Sequence, residues 1–237
     1  MLILPQNSPP EELLAANLRA VRARIAAAAA AGGRTEEQVT LVAVGKGHAA
    51  ERLRAAARLG IEHFGENYLQ EALPKLDALT GLELTWHFIG RLQTNKTRPV
   101  AERFQWVHGV DRVRIAERLA AQRPHYAPPL NVLLQVNVAG EAAKAGVAPA
   151  AVPELVAAIR ALPRLALRGL MCMLPEGLEP AARRAAFATV RRLLEDCNAR
   201  GAGLDALSMG MSGDFEEAVL EGATHVRIGT ALFGPRA

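Results

Sequence analysis

Cysteine is nearly missing from this chain: Cys172 and Cys197 are the only two, and no Cys-x-x-Cys pair occurs. A disulfide scaffold is thereby excluded, and the two thiols fit a reducing, cytoplasmic compartment. Aromatic residues make up 4% of the sequence, and no basic block or tail is present, which argues against a nucleic-acid-binding surface. No stretch of about 18 apolar residues runs without a charge, so a transmembrane helix is excluded. The opening residues, Met1 to Pro10, are polar and proline-rich, and no secretory signal is expected from them. Lysine is the scarcest charge: among 28 basic residues, only Lys46, Lys75, Lys96 and Lys144 are lysines.

What is present is a chain of 237 residues, half of them hydrophobic and 22% charged, enough for one large core. Its apolar spacing is a repeated pattern of short apolar runs alternating with helical segments. Residues 11–31 open with a helix whose face carries Leu14, Leu18, Val21 and Ile25, and Gly32-Gly33 ends it. A β-branched run at 39–44 halts at Gly45-Lys46-Gly47, and helix returns over 49–59. The cycle repeats with strands expected at 61–64, 84–89, 104–108, 130–138, 165–171, 206–207 and 225–228. Helices follow near 67–79, 94–103, 111–122, 150–161, 180–199 and 213–221. Eight near-continuous apolar strands joined by crossover helices predict a parallel sheet covered by helices. At this length they predict a single (β/α)8 TIM barrel, domain 1–237, with an extra N-terminal helix. A doubly wound open sheet is the alternative.

In such a barrel, chemistry sits at the carboxyl ends of the strands. Lys46 follows the uncharged strand Leu41-Val42-Ala43-Val44, so its amine should emerge at the barrel mouth. There it could form a Schiff base with a carbonyl, or simply reach out to solvent. Lys75 and Lys96 on expected helices, and Lys144 in a loop, read as solvated. Ser212-Gly213-Asp214 and Arg227-Ile228-Gly229-Thr230 follow the last two strands, where phosphate sites recur on this fold. Taken singly they also read as an N-cap and a turn. Glu66 and Asn67 are either polar site groups or a helix cap. His63, His87, His108 and His225 lie in or near strands without metal-ligand spacing, so no metal site is expected. Met209 reads as packing.

The strand ends resemble those of the pyridoxal phosphate homeostasis proteins, over nearly the whole chain. The likeness rests on Val42-Ala43-Val44-Gly45-Lys46, on Phe64 to Glu71 (FGENYLQE), on Trp86 to Lys96 (WHFIGRLQTNK), on Arg168-Gly169-Leu170-Met171, on Leu207 to Ser212 (LSMGMS), and on Val226 to Gly234 (VRIGTALFG). The resemblance implies a barrel similar to the N-terminal domain of alanine racemase, with pyridoxal 5'-phosphate held as a Schiff base on Lys46. It further implies that Ser212, Gly229 and Thr230 bind the phosphate, that Arg227 faces the pyridine nitrogen, and that Asn67 and Met209 lie beside the cofactor. An arginine there disfavours a protonated pyridine and weakens the ring as an electron sink. Two departures stand out. Gly45-Lys46-Gly47 replaces a usual Ser-Lys-Thr, a change expected to loosen the surroundings of the lysine. Ala142-Ala143-Lys144-Ala145-Gly146 lacks the serines usual in that loop.

Two functions of different class follow from the resemblance. One is a monomeric carrier that limits free pyridoxal phosphate and releases it to apo-enzymes, with no catalytic residue, nucleic acid or membrane involved. The other is a racemase-like enzyme, which needs a second acid/base group opposite the lysine. Tyr68 and Tyr126 are the only tyrosines. Neither is well placed by the sequence, and no second domain is expected to supply one, so the carrier is preferred. A cofactor-free lysine imine of the aldolase kind is the third reading.

Overall fold

The computed structural model describes residues 10–140 and 145–235; Lys144, with Ala142 and Ala143, lies outside them. The chain runs α1 (Pro10–Ala31), β1 (Thr40–Val44), α2 (Ala50–Arg58), β2 (His63–Glu66), α3 (Leu69–Ala78), β3 (Thr85–Phe88), α4 (Thr97–Arg103), β4 (Trp106–Val110), α5 (Val113–Gln122), β5 (Leu130–Gln135), α6 (Val152–Arg160), β6 (Leu165–Met171), α7 (Pro180–Ala199), β7 (Ala206–Met211), α8 (Phe215–Leu220), β8 (His225–Ile228) and α9 (Thr230–Phe233). Each strand pairs in parallel with its sequence neighbours, and β1 also pairs with β8, from Thr40 opposite His225 to Ala43 opposite Ile228. The sheet is a closed eight-stranded barrel, and the open-sheet alternative is excluded.

Burial on both strand faces explains why these segments read as continuous apolar runs: in β5, Leu130, Val132, Leu133 and Leu134 are all fully buried. The helices present one apolar face each, as α5 does with Ile115, Ala116, Leu119 and Ala120. Helix α1 is alanine-rich, a composition that favours helix without tertiary help. It buries Leu14, Leu18, Val21 and Ile25 and lies across the end of the chain. Asn17 Nδ2 donates to the Leu232 carbonyl at 3.0 Å, and Arg24 grips both Glu216 oxygens at 2.6 and 2.8 Å. Among the described residues, no helix is long and apolar enough to cross a membrane.

Four strands differ from the sequence expectation by two residues or more, and one of them, β5, stops at Gln135 rather than at 138. Pairing in β2 and β4 begins two residues late, because Ile61 and Phe104 are buried in the preceding loops, at 3% and 0% exposure, rather than paired. A buried loop residue and a strand residue look alike in an apolar pattern. Strand β7 continues past Leu207 to Met211, through polar Ser208 and through Gly210, whose φ is +92°. A side chain at Gly210 would meet Ala218 Cβ at 2.7 Å and Phe215 Cα at 2.8 Å. The irregular pairing with β8 there, between Ser208 and Met211, marks a bulge that re-aims the strand end.

Candidate functional site

The carboxyl ends of the strands open into a cavity of about 530 Å³, within the range of small-ligand sites. Lys46 lines it from the turn after β1, Asn67 from the residue after β2, and Ser212 from the residue after β7. Arg227 reaches it from within β8, and Gly229 and Thr230 from the N-cap and first residue of α9. Met209 is elsewhere: it is fully buried in the main core and is not part of the cavity wall.

The backbone around Lys46 is held from both sides by α3. Lys75 Nζ donates to the Gly45 carbonyl at 2.8 Å, and Glu71 Oε2 accepts from the Gly47 N–H at 3.0 Å. Lys75 is therefore not the solvated residue its place on a helix suggested. It is 8% exposed and pairs at 2.7 Å with Glu66, which is fully buried. The cause is tertiary: this face of α3 turns toward the end of β2, where the Glu66 carboxylate waits. Burial raises Glu66 above the usual carboxylate range, and the hydrogen bond and charge of Lys75 pull it back.

Gly45 does not loosen this region. A side chain there would meet Glu66 Oε1 at 2.5 Å and Leu53 Cδ2 at 2.9 Å, so the glycine makes room for the buried pair. Gly47 has φ +74°, a conformation that disfavours a β-branched residue. The Lys46 ammonium sits 4.8 Å from the centre of the Tyr68 ring, a cation–π contact at the half-exposed rim. Asn67 and Glu66 do not cap α3, since Tyr68 occupies that position without a side-chain bond.

Arg227 is 3% exposed. It donates to Ser208 Oγ at 2.6 Å and to the Cys172 carbonyl at 2.9 Å, and among the described residues no carboxylate lies within 4.0 Å of it. A buried guanidinium with two neutral acceptors lacks a paired counter-charge at contact distance; the Asp214 carboxylate acts on it only from farther off, and Arg227 itself lines the cavity. Ser212 accepts the Ala231 N–H at 3.2 Å, tying the end of β7 to the start of α9 and leaving its own hydroxyl hydrogen available. It does not start a helix: Asp214 holds that position, accepts the Met211 N–H at 2.6 Å, and is raised by burial.

Two further wall residues, His48 and Arg183, had no signal in the sequence, while Asp214 belongs to the segment after β7 that the sequence marked. Arg183 reaches in from α7, anchored on the Leu178 and Gly213 carbonyls at 2.7 and 2.8 Å and on Glu217 at 3.1 Å. It stands among several arginines of one helix, and nothing in their spacing singles it out. The cavity thus carries Lys46, Arg183 and Arg227 against Glu176 and Asp214, an excess of positive charge suited to an anionic ligand. Tyr126 is 91% exposed in the connection before β5, at the opposite end of the barrel. Among the described residues, no group of three His, Cys, Asp or Glu side chains is arranged to hold a metal ion.

The profile described as alanine racemase, N-terminal domain, matches residues 14–237, which places the barrel in that class. Among curated relatives, the pyridoxal phosphate homeostasis protein of Pseudomonas aeruginosa is 57% identical over 94% of this chain and 96% of its own. That of Escherichia coli is 48% identical over 94% and 97%. PipY of Synechococcus elongatus, solved with PLP bound, is 38% identical with a TM-score of 0.82, over 93% of this chain and all of its own. The chain belongs to the pyridoxal phosphate homeostasis protein family.

Proposed function

We propose that this chain is a single barrel domain that binds pyridoxal 5'-phosphate on Lys46 and serves intracellular homeostasis of that cofactor, without robust catalysis of its own. The observation that carries the reading is Arg227, a buried cation with no carboxylate partner among the described residues, bordering the cavity that Lys46 also enters. The cofactor bound to PipY, at 38% identity, supports the same ligand.

The residues fit it. Lys46 would supply the amine that holds the aldehyde reversibly. Ser212, Gly229 and Thr230 form the phosphate wall, and Arg183 adds positive charge nearby. Arg227 would face the ring nitrogen and, being permanently charged, would disfavour its protonation. Asn67 closes the side wall, and Met209 supports the site from the core. The bound group supplies electron-sink chemistry in many enzymes; here Arg227 mutes it. Tyr68 lies under the same lysine rather than across from it, and Tyr126 is remote, so neither acts as an opposing base. The partly exposed rim residues Tyr68 and Met173, at 49% and 41%, leave a mouth through which the ligand can pass to apo-enzymes in the cytoplasm.

The test is an absorption spectrum of the purified protein before and after borohydride, for wild type and Lys46→Ala. A visible band that borohydride abolishes and the variant lacks is expected. Amino-acid racemase and transaminase assays should then show no robust turnover, and robust turnover would make the chain an enzyme. No band after adding pyridoxal phosphate would overturn the reading in favour of a cofactor-free lysine imine.

A further inference from the structure

Behind Arg227, polar side chains cross the barrel interior in a continuous row. Arg227 Nη1 donates to Ser208 Oγ at 2.6 Å, and Ser208 Oγ lies 2.8 Å from His108 Nδ1. His108 Nε2 is 2.9 Å from His87 Nδ1, and His87 Nε2 is 2.9 Å from His63 Nδ1. Ser208, His108 and His87 are fully buried. His63 is half-buried at the start of β2 and lines a second cavity, of about 480 Å³, at the amino ends of the strands. The row therefore links the two ends of the barrel.

Counting hydrogens fixes its direction. A guanidinium only donates, so Ser208 Oγ accepts from Arg227 and its single hydrogen points to the one remaining neighbour, His108 Nδ1. His108 must then carry its hydrogen on Nε2 and give it to His87. His87 does the same toward His63, whose own Nε2–H faces outward. All three rings are neutral, and every donor and acceptor between them is used once. In the reverse order, His108 would donate to Ser208 and strand the serine hydrogen. The only partners of Ser208 Oγ among the described residues are Arg227 and His108, and a buried hydroxyl without an acceptor costs about 1–3 kcal/mol. The reverse order would also expose a bare His63 Nε2 to protons from solvent.

The surroundings favour neutrality. Burial chiefly lowers all three imidazoles, with His225 and neighbouring rings adding to the effect on His87, and His225 and Arg227 to that on His108. Glu62 alone opposes it, beside His63. The other charged or titratable groups near the row are Arg22, Glu36 and Glu37 around the outer cavity, Arg168 and Asp205 beyond His225, and Cys172 and Asp214 beyond Arg227.

We infer that Ser208, His108, His87 and His63 are positioning residues for Arg227: a neutral hydrogen-bond chain, its direction set by the guanidinium, that braces Arg227 from behind and bars protons from the far face of the barrel. It rests on the proposed function only for what Arg227 faces; the order of the chain belongs to the ligand-free protein. The test is long-range proton–nitrogen NMR of histidine-labelled, ligand-free protein between about pH 5 and 8, the range in which free histidine titrates. All three wild-type rings should be neutral with the hydrogen on Nε2.

In Ser208→Ala the order is released, His63 Nε2 can present an open lone pair, and the His63 midpoint should rise toward the ordinary histidine value, bringing a titration into the measured range. With pyridoxal phosphate added, the visible spectrum should stay constant with pH in wild type and vary in this variant. Should Ser208→Ala not fold, His63→Leu at the half-buried end decides: His87 and His108 should keep their hydrogens on Nε2, because the order is imposed from the Arg227 end. A wild-type His108 with its hydrogen on Nδ1, a charged ring, an unchanged His63 in Ser208→Ala, or a switched His87 in His63→Leu would each overturn the inference. Failure to bind pyridoxal phosphate would leave the NMR result standing and count against the proposed function alone.

Discussion

Replacing Lys75 by methionine removes the positive half of a pair whose other half is fully buried. The Lys75 side chain is 9% exposed, Glu66 is 0% exposed, the two lie 2.7 Å apart, and Glu66 Oε2 has no hydrogen-bond partner among the described residues. The variant would leave a carboxylate with neither water nor counter-charge, a loss of about 3–5 kcal/mol at neutral pH. Burial already lifts the Glu66 pKa above the ordinary carboxylate value, and Lys75 opposes that rise; without Lys75 the rise is larger. A carboxyl group whose folded-state pKa is raised contributes stability that is complete below its unfolded value and is lost as pH climbs through the folded one. The deficit of Lys75→Met against wild type should therefore be smallest in acid and grow from about pH 5 to pH 8. Adding Glu66→Gln should recover part of it, since the amide carries no charge to strand. Urea unfolding at several pH values, with slopes compared to confirm the same transition, measures each deficit. A loss below about 1 kcal/mol, the scale of an exposed pair, or one equal at both ends of the pH range would refute the argument.

A surface comparison follows from Arg24 and Glu216, whose side chains are 45% and 37% exposed: Glu216→Gln should cost no more than about 1 kcal/mol in the same unfolding assay. At Gly169 any side chain would collide with the backbone carbonyl of Ala206 across β6 and β7. Gly169→Ala should therefore lose about 3 kcal/mol or more by urea unfolding, or leave little folded protein, because backbone cannot step aside as a side chain can. Cys172 is fully buried, with its thiol pushed up to about 12, and Cys197 is also buried and raised. Neither should react with a thiol reagent in the native state at neutral pH, and both should react after denaturation; rapid native labelling would contradict their placement.

The element order was legible because it depends on local spacing. Short continuous apolar runs and segments with an apolar period of nearly four alternate along the chain, glycines punctuate them, and the count of eight strands leaves few ways to bury both faces. Strand edges were less legible: Ile61 and Phe104 are apolar for reasons of burial outside the sheet, and Ser208 and Gly210 interrupt the pattern of a strand that continues through them. The candidate site was readable from its glycine-flanked strand ends and its six motifs, which marked Lys46, Asn67, Ser212, Arg227, Gly229 and Thr230 before they were seen around one cavity. Met209 shared a motif with Ser212, yet its alternate place on β7 turns it into the core.

By itself, then, the sequence determined the alternation of strands and helices, the family, and the lysine at the end of the first strand, all of them properties of short segments. Only the tertiary structure decided that Arg227 is buried with no carboxylate of the described residues within 4.0 Å, that Lys75 is half of a buried pair, and that three histidines form a row. Those facts depend on residues that the chain separates and the closed barrel reunites. His63 and His87 are 24 apart, His87 and His108 are 21 apart, and His108 and Ser208 are 100 apart. A side chain's charge state and hydrogen-bond partners are set by what lies within a few ångströms of it, and for these residues none of that lies nearby in sequence.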